Sequence, residues 1–152
     1  MDLKEVAVVS ANPKAEAEAL LNDLLPFAKR MLAAHGEFFP FGGYMRTDGS
    51  IVHVGAKDPT TDRPKSATLI ETLTRDFRER ARHREIRAAA VMFDVKVLPP
   101  GGSAKTDAIQ VNLEHKDSYC AEVFFPYRLG DSGALEFGQT FAQEGRRVVF
   151  VK

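Results

Sequence analysis

Asp94 and Glu122 have the clearest potential for chemistry in this sequence. Asp94 interrupts the apolar run from Ile86 to Leu98, and strand alternation places it on the same predicted sheet face as Glu122. Two carboxylates can divide general acid and general base roles when their surroundings separate their pKa values. Carboxylates also meet by chance on solvated sheet faces, so the pattern indicates a polar surface before it indicates an acid/base site.

Nucleophilic and phosphate-binding motifs are absent or incomplete. Cys120 is the only cysteine, and His115 precedes it by five residues across a predicted turn, where a small buried thiol is the commoner arrangement. The segment Gly101–Thr106 superficially resembles a phosphate loop, but Ala104 and Pro99 stand where that loop needs glycine. No G-x-S-x-G motif occurs. We therefore expect no catalytic residues, and the sequence favours a protein that is not an enzyme while leaving an enzyme as the alternative.

The histidines predict no metal site. None of the four lies at metal-ligand spacing from another, and the single cysteine adds no second ligand; they are His35, His53, His83 and His115. We expect neither a metal nor a cofactor.

Bulk properties exclude several classes of protein. The 152 residues suit one domain, and the 21 basic and 21 acidic side chains give a net charge of zero. Nucleic-acid binding is disfavoured because it relies on an excess of basic residues. No window approaches the roughly 20 apolar residues of a membrane span, and Met1–Glu5 lacks the pattern of a signal peptide. With one cysteine, these features predict a cytoplasmic protein.

The first half of the chain predicts a helix followed by a hairpin. Asn12-Pro13 is a helix start, and Gly36 is a helix stop after an apolar stripe. Pro26 predicts a kink, or two abutting helices, near residues 22–26. Residues 37–46 are predicted to form an aromatic strand, in which Gly42-Gly43 indicates a bulge or a close approach to the backbone. Residues 47–50 predict a turn into a second strand at 51–56. Residues 6–9 suit a short strand or the lead-in to a helix.

The second half predicts one more helix and several strands. Ser66 is a candidate cap for an amphipathic helix with an almost wholly charged outer face. Strands are predicted at residues 86–98, 107–115 and 119–128, and a last one at residues 147–151. Short turns between consecutive strands imply antiparallel pairing. The fold class is therefore α+β: one domain over residues 1–152, with an antiparallel sheet of five or six strands and both main helices on one face.

This order of elements resembles the profilin/roadblock-type arrangement, over residues 13–128. The phrase LLPFAKRMLAAHGEFFPFGGYM, residues 24–45, also resembles small bacterial proteins of unknown function. The first resemblance implies a central antiparallel sheet with helices, and the second implies a bacterial cytoplasmic source. Neither transfers an activity or a functional residue.

Two groups of residues are candidate ligand or partner surfaces. Alternation predicts that Val91 and Phe93 share the helix-facing side with Ile109 and Val111, which leaves a polar opposite face. The candidates on that opposite face are Asp94, Gln110, Asn112, Glu122 and Phe124. The candidates near the first hairpin are Phe39, Phe41, Tyr44 and His53, beside the Gly42-Gly43 backbone.

These observations favour a non-enzymatic cytoplasmic interaction or regulatory protein. The alternative is a small-molecule-binding protein or enzyme with its pocket near the first hairpin. A deep apolar pocket with converging polar groups would favour that alternative, and a flat surface with paired aromatics would favour the first. We also expect a homodimer, or binding to another protein, with Phe124 as an exposed anchor.

Overall fold

The computed structural model describes residues 12–151, so the alternatives for residues 6–9 lie outside the described chain. Within that range the chain forms two helices, α1 (Pro13–His35) and α2 (Ser66–Arg82). The strands are β1 (Phe41–Arg46), β2 (Ile51–Gly55), β3 (Ile86–Val97), β4 (Thr106–His115), β5 (Tyr119–Leu129), β6 (Leu135–Phe137) and β7 (Phe141–Glu144).

All seven strands belong to one antiparallel sheet, which confirms the α+β class. The strand order is β2-β1-β3-β4-β5-β6, and β7 also pairs with β5. The sheet exceeds the expected five or six strands because residues 135–144 contribute two short strands along β5. The profilin/roadblock-type order is not confirmed.

Helix α1 is one continuous element. The side chain of Asn12 accepts a hydrogen bond from the amide of Ala15, and Gly36 ends the helix in the left-handed conformation with φ 74°. Pro26 lies inside the helix on its exposed side, so the expectation of two abutting helices is wrong. The buried face of α1 consists of Ala17, Leu20, Leu21, Leu24, Leu25, Ala28 and Leu32.

The two helices pack on opposite faces of the sheet, which corrects the expectation of one face. Leu24 of α1 lies 2.7 Å from where a Cβ on Gly43 would be, and Phe77 of α2 lies 3.0 Å from the corresponding point on Gly42. Neighbouring residues of a strand point to opposite faces, so the helices lie on opposite sides of β1. Each helix stripe requires only one buried partner surface, and either face of an apolar strand supplies one.

The C-terminal segment, residues 145–151, is anchored without forming the predicted strand. The carboxylate of Glu114 accepts hydrogen bonds from the consecutive amides of Val148, Val149 and Phe150, at 2.7 to 3.2 Å. Arg78 of α2 donates to the carbonyl of Val148 at 2.8 Å. Because a buried side chain satisfies these amides, the segment needs no neighbouring strand.

Candidate functional site

A concavity with a mostly apolar lining lies beside the start of the first hairpin. It has a volume of about 510 Å³ and is called the aromatic groove here. It is bordered by the C-terminal half of α1, the connection from α1 to β1, the end of β2, the start of α2 and one residue of β3. Its lining residues are Phe27, Met31, His35, Glu37, Phe38, Phe39, Pro40, Phe41, Gly55, Ala56, Ser66 and Asp94.

Four phenylalanines form the apolar walls of the aromatic groove. The ring of Phe41 meets those of Phe27 and Phe38 edge to face, with centroids 4.9 and 5.9 Å apart. Phe41 is buried because the start of β1 packs against α1, whereas Phe39 is 60% exposed. The packed rings fix the wall, and Phe39 provides an aromatic surface that solvent can reach.

The polar part of the aromatic groove centres on Asp94. The hydroxyl of Tyr127 donates a hydrogen bond to the Asp94 carboxylate at 2.7 Å. Burial raises the pKa of Asp94 above its ordinary value; the Tyr127 bond opposes the rise, and the negative charges of Asp107 and Glu37 add to it. Burial, together with the adjoining carboxylate, also raises the pKa of Tyr127. At neutral pH the tyrosine is therefore a donor, and Asp94 is an acceptor held in a partly desolvated site.

The four candidates near the first hairpin do not form one site. Phe39 and Phe41 line the aromatic groove. Tyr44 lies on the other face of the sheet, against the ring of Phe77. His53 faces α1, where its Nε2 lies 2.7 Å from the carboxylate of Asp23. Successive positions of β1 alternate between the two faces, which separates Phe41 from Tyr44.

The prediction that Asp94 lies on the polar face of the sheet is wrong. In the β3–β4 register Asp94 is opposite Ile109, and directly opposed residues of an antiparallel pair share a face. Asp94 therefore lies on the α1 face, because it follows Met92 of the α1-side core by two residues. The predicted faces of β3 and β4 were out of step by one residue, since alternation within a strand does not determine its register with the next.

Asp94 and Glu122 consequently do not form an acid/base pair. Glu122 is opposite Asn112, on the face away from α1, and accepts a hydrogen bond from Gln143 at 2.7 Å. On the same face the Gln110 amide donates to the side chain of Asn112 at 2.9 Å. These three polar residues satisfy one another or their neighbours in the sheet.

Phe124 is buried, which corrects the expectation of an exposed anchor. Only 5% of it is exposed, and its ring stacks on that of Phe141 with centroids 4.8 Å apart. Strand β7 pairs with β5 and brings Phe141 opposite Phe124. The sequence did not indicate this short strand.

Cys120 and His115 occupy opposite faces of the sheet. His115 is fully buried; its Nε2 lies 2.8 Å from the Glu16 carboxylate, and its Nδ1 accepts a hydrogen bond from the amide of Asp117. Burial raises the pKa of the Cys120 thiol to about 11. The histidine is already engaged at both ring nitrogens, so this geometry holds loop and helix together instead of activating the thiol.

Sequence reasoning missed several residues of the aromatic groove. Phe27, Met31 and His35 recur at i, i+4 and i+8, a spacing that places them on one side of α1, but no sequence signal showed that this side borders a groove. Tyr127 reaches Asp94 from two strands away, a contact that depends on the register of both strand pairs. Glu37 follows the helix stop directly and gave no local signal.

Within residues 12–151, no group of three or more potential metal-ligating side chains comes together. Neither helix of this region has the length and apolar character needed to cross a bilayer.

Comparison with known proteins identifies no relative: no family model matches the chain, and no curated protein or solved structure matches it significantly. The resemblance to small bacterial proteins stays a prediction.

Proposed function

We propose that this protein binds a small, largely apolar molecule in the aromatic groove. The observation that carries the proposal is a groove of about 510 Å³ that is lined by four phenylalanines and contains one partly desolvated carboxylate. Small-molecule sites are typically concave, of a few hundred cubic ångströms, apolar in most of their lining and equipped with a few orienting polar groups. The aromatic groove has each of these properties.

The groove favours ligand binding over the interaction role that the sequence placed first. That role was predicted from the failure of every catalytic motif and from one aromatic polar sheet face. On that face Phe124 is buried and the polar groups around it are paired. The exposed aromatic Phe39 instead lies at a concave surface. A flat aromatic or aliphatic ligand there would bury apolar area from both partners.

Binding of a neutral fluorescent probe tests the proposal directly. N-phenyl-1-naphthylamine should fluoresce more strongly with the folded protein and titrate to a single site. Phe39→Ala should weaken its binding about tenfold, because the substitution removes one ring from the wall. It should leave the melting temperature nearly unchanged, since Phe39 is 60% exposed.

Leu98→Ala is the matched control, because Leu98 is 56% exposed and does not line the groove. Its probe affinity should equal that of the unmodified protein. Absence of saturable probe binding, or equal losses in the two variants, would overturn the proposal.

A further inference from the structure

Two carboxylate side chains, those of Asp94 and Glu37, line the aromatic groove. The charge of Glu37 contributes to the raised pKa of Asp94. Asp107 lies close enough to act in the same direction, but it is paired with Lys96 at 2.9 Å. The hydrogen bond from Tyr127 occupies part of the Asp94 carboxylate without neutralising it.

The positive groups near these carboxylates do not match them. The Lys96 ammonium acts to lower the pKa of Asp94, but it is held by Asp107 at 2.9 Å and does not line the groove. His35 lines the groove, and the charge of a histidine depends on pH. Ser66 begins the first turn of α2, and a helix N-terminus carries only a partial positive charge. No lysine or arginine is among the lining residues, although the Arg30 guanidinium lies 5.8 Å from the Phe27 ring centroid on the same helix.

The aromatic walls of the groove also favour a positively charged ligand. The faces of aromatic rings carry a negative quadrupole that attracts cations, most strongly where water is excluded. Rings in this protein already hold cations in this way: the Arg80 guanidinium lies 4.8 Å from the Tyr44 centroid, and the Lys29 ammonium 4.7 Å from that of Phe137. Phe39 and the lining carboxylates therefore both favour a ligand that carries a positive charge.

We propose that the ligand of the aromatic groove is an organic cation, with a flat apolar body against the phenylalanines and a protonated amine at Asp94 and Glu37. This inference rests on the proposed function, because it names the class of ligand for the same site. The apolar body supplies buried area, and the ammonium group supplies charge-assisted hydrogen bonds to the partly buried Asp94 carboxylate and to the exposed Glu37 carboxylate.

Three ligands with the same ring system test the inference. 1-Naphthylmethylamine, 1-naphthalenemethanol and 1-naphthoate differ mainly in the charge of the group attached to the naphthalene ring. Each should be titrated against bound N-phenyl-1-naphthylamine at neutral pH and low salt. The amine should displace the probe about tenfold more tightly than the alcohol, and the naphthoate should bind least.

Substitution of each lining carboxylate tests which residue produces the preference for the amine. Asp94→Asn and, separately, Glu37→Gln should reduce the advantage of the amine over the alcohol severalfold while leaving the affinity of the alcohol unchanged. Glu136→Gln is the matched control, since Glu136 pairs with Arg128 outside the groove, and it should keep the full advantage.

The outcomes separate the two proposals. If the probe binds but the alcohol or the naphthoate competes as well as the amine, the cation inference is wrong and the groove remains a binding site. An amine preference that survives in both Asp94→Asn and Glu37→Gln also overturns it. If neither the probe nor any of the three naphthalenes binds, the proposed function itself fails.

Discussion

The hydrogen bond between Tyr127 and Asp94 links a residue of the sheet core to a residue that lines the aromatic groove. Tyr127 is buried in the α1-side core, and its hydroxyl meets the Asp94 carboxylate at 2.7 Å. A hydrogen bond to an ionised acceptor is stronger than one to a neutral acceptor. The bond therefore offsets part of the cost of keeping a carboxylate in a partly buried position.

Tyr127→Phe should destabilise the protein in a pH-dependent way. At neutral pH the loss should be about 1–2 kcal/mol, because the ionised Asp94 loses its donor. The pKa of Asp94 in the folded state is raised above its unfolded value, so acid protonates the folded protein first. The loss should shrink as the pH falls through this raised pKa. Urea unfolding from pH 7 to pH 4 measures it.

The control for this experiment is Tyr119→Phe, which removes a phenol from the opposite end of β5. Its effect on the free energy of unfolding should be small and nearly the same at every pH in that range. An equal pH dependence in the two variants would contradict the assigned role of Tyr127.

At the scale of elements, β1, like β3, contacts both helices. It has no side chain at Gly42 or Gly43, and neither residue has a positive φ. A Cβ on Gly42 would lie 2.3 Å from the carbonyl oxygen of Ala90, and one on Gly43 would lie 2.7 Å from that of Val52. Close approach of neighbouring backbone, and not turn geometry, therefore requires both glycines.

Gly42→Ala and Gly43→Ala should each lower the free energy of unfolding by about 1–3 kcal/mol, because a backbone carbonyl must move to admit the methyl group. Gly42→Ala should cost more, since its contact is shorter. Gly55→Ala in the neighbouring strand β2 is the control, because no atom lies within 4 Å of its added Cβ. Thermal and urea melts of the three variants test this, and three equal midpoints would show that close packing at β1 is unimportant.

At the scale of the whole molecule, net charge and sheet edges bear on self-association. The net charge of zero supplies no long-range repulsion between copies. Strand β2 has one neighbour, β1, within residues 12–151, so its other edge faces away from the described sheet. An open edge favours pairing with a second strand, and a symmetric dimer is the commonest closed arrangement.

The homodimer stays a prediction, now placed at β2 instead of Phe124. Light scattering over a dilution series should give a mass near twice 16.8 kDa at high concentration. Gly55→Lys should shift this equilibrium toward monomer, because a charged side chain on an edge strand disfavours pairing, whereas Gly55→Ala should not. A monomer mass at every concentration would refute the dimer.

Phe124→Glu should unfold the protein instead of dissociating a dimer, since the Phe124 ring is buried.

How much of the candidate site could be predicted varies from residue to residue. The aromatic character of residues 38–41 was evident, as was the interruption of β3 by Asp94. That Asp94 faces α1 could not be read from alternation, because a slip of one residue between β3 and β4 inverts every side chain relative to its neighbour. The Tyr127 contact and the burial of Phe124 by β7 depend on the same long-range pairing.

The sequence by itself determined the local elements of this protein: the cap at Asn12, the stop at Gly36, the turn at residues 47–50 and the antiparallel α+β class. Each of these follows from interactions between residues close in the chain. Only the tertiary structure decided that the helices lie on opposite faces, that Glu114 holds the C-terminal segment, and that the phenylalanines enclose a groove ending at Asp94. The physical reason is that helix stripes and strand faces specify what must be buried, while the partner that buries it is chosen by packing between distant segments.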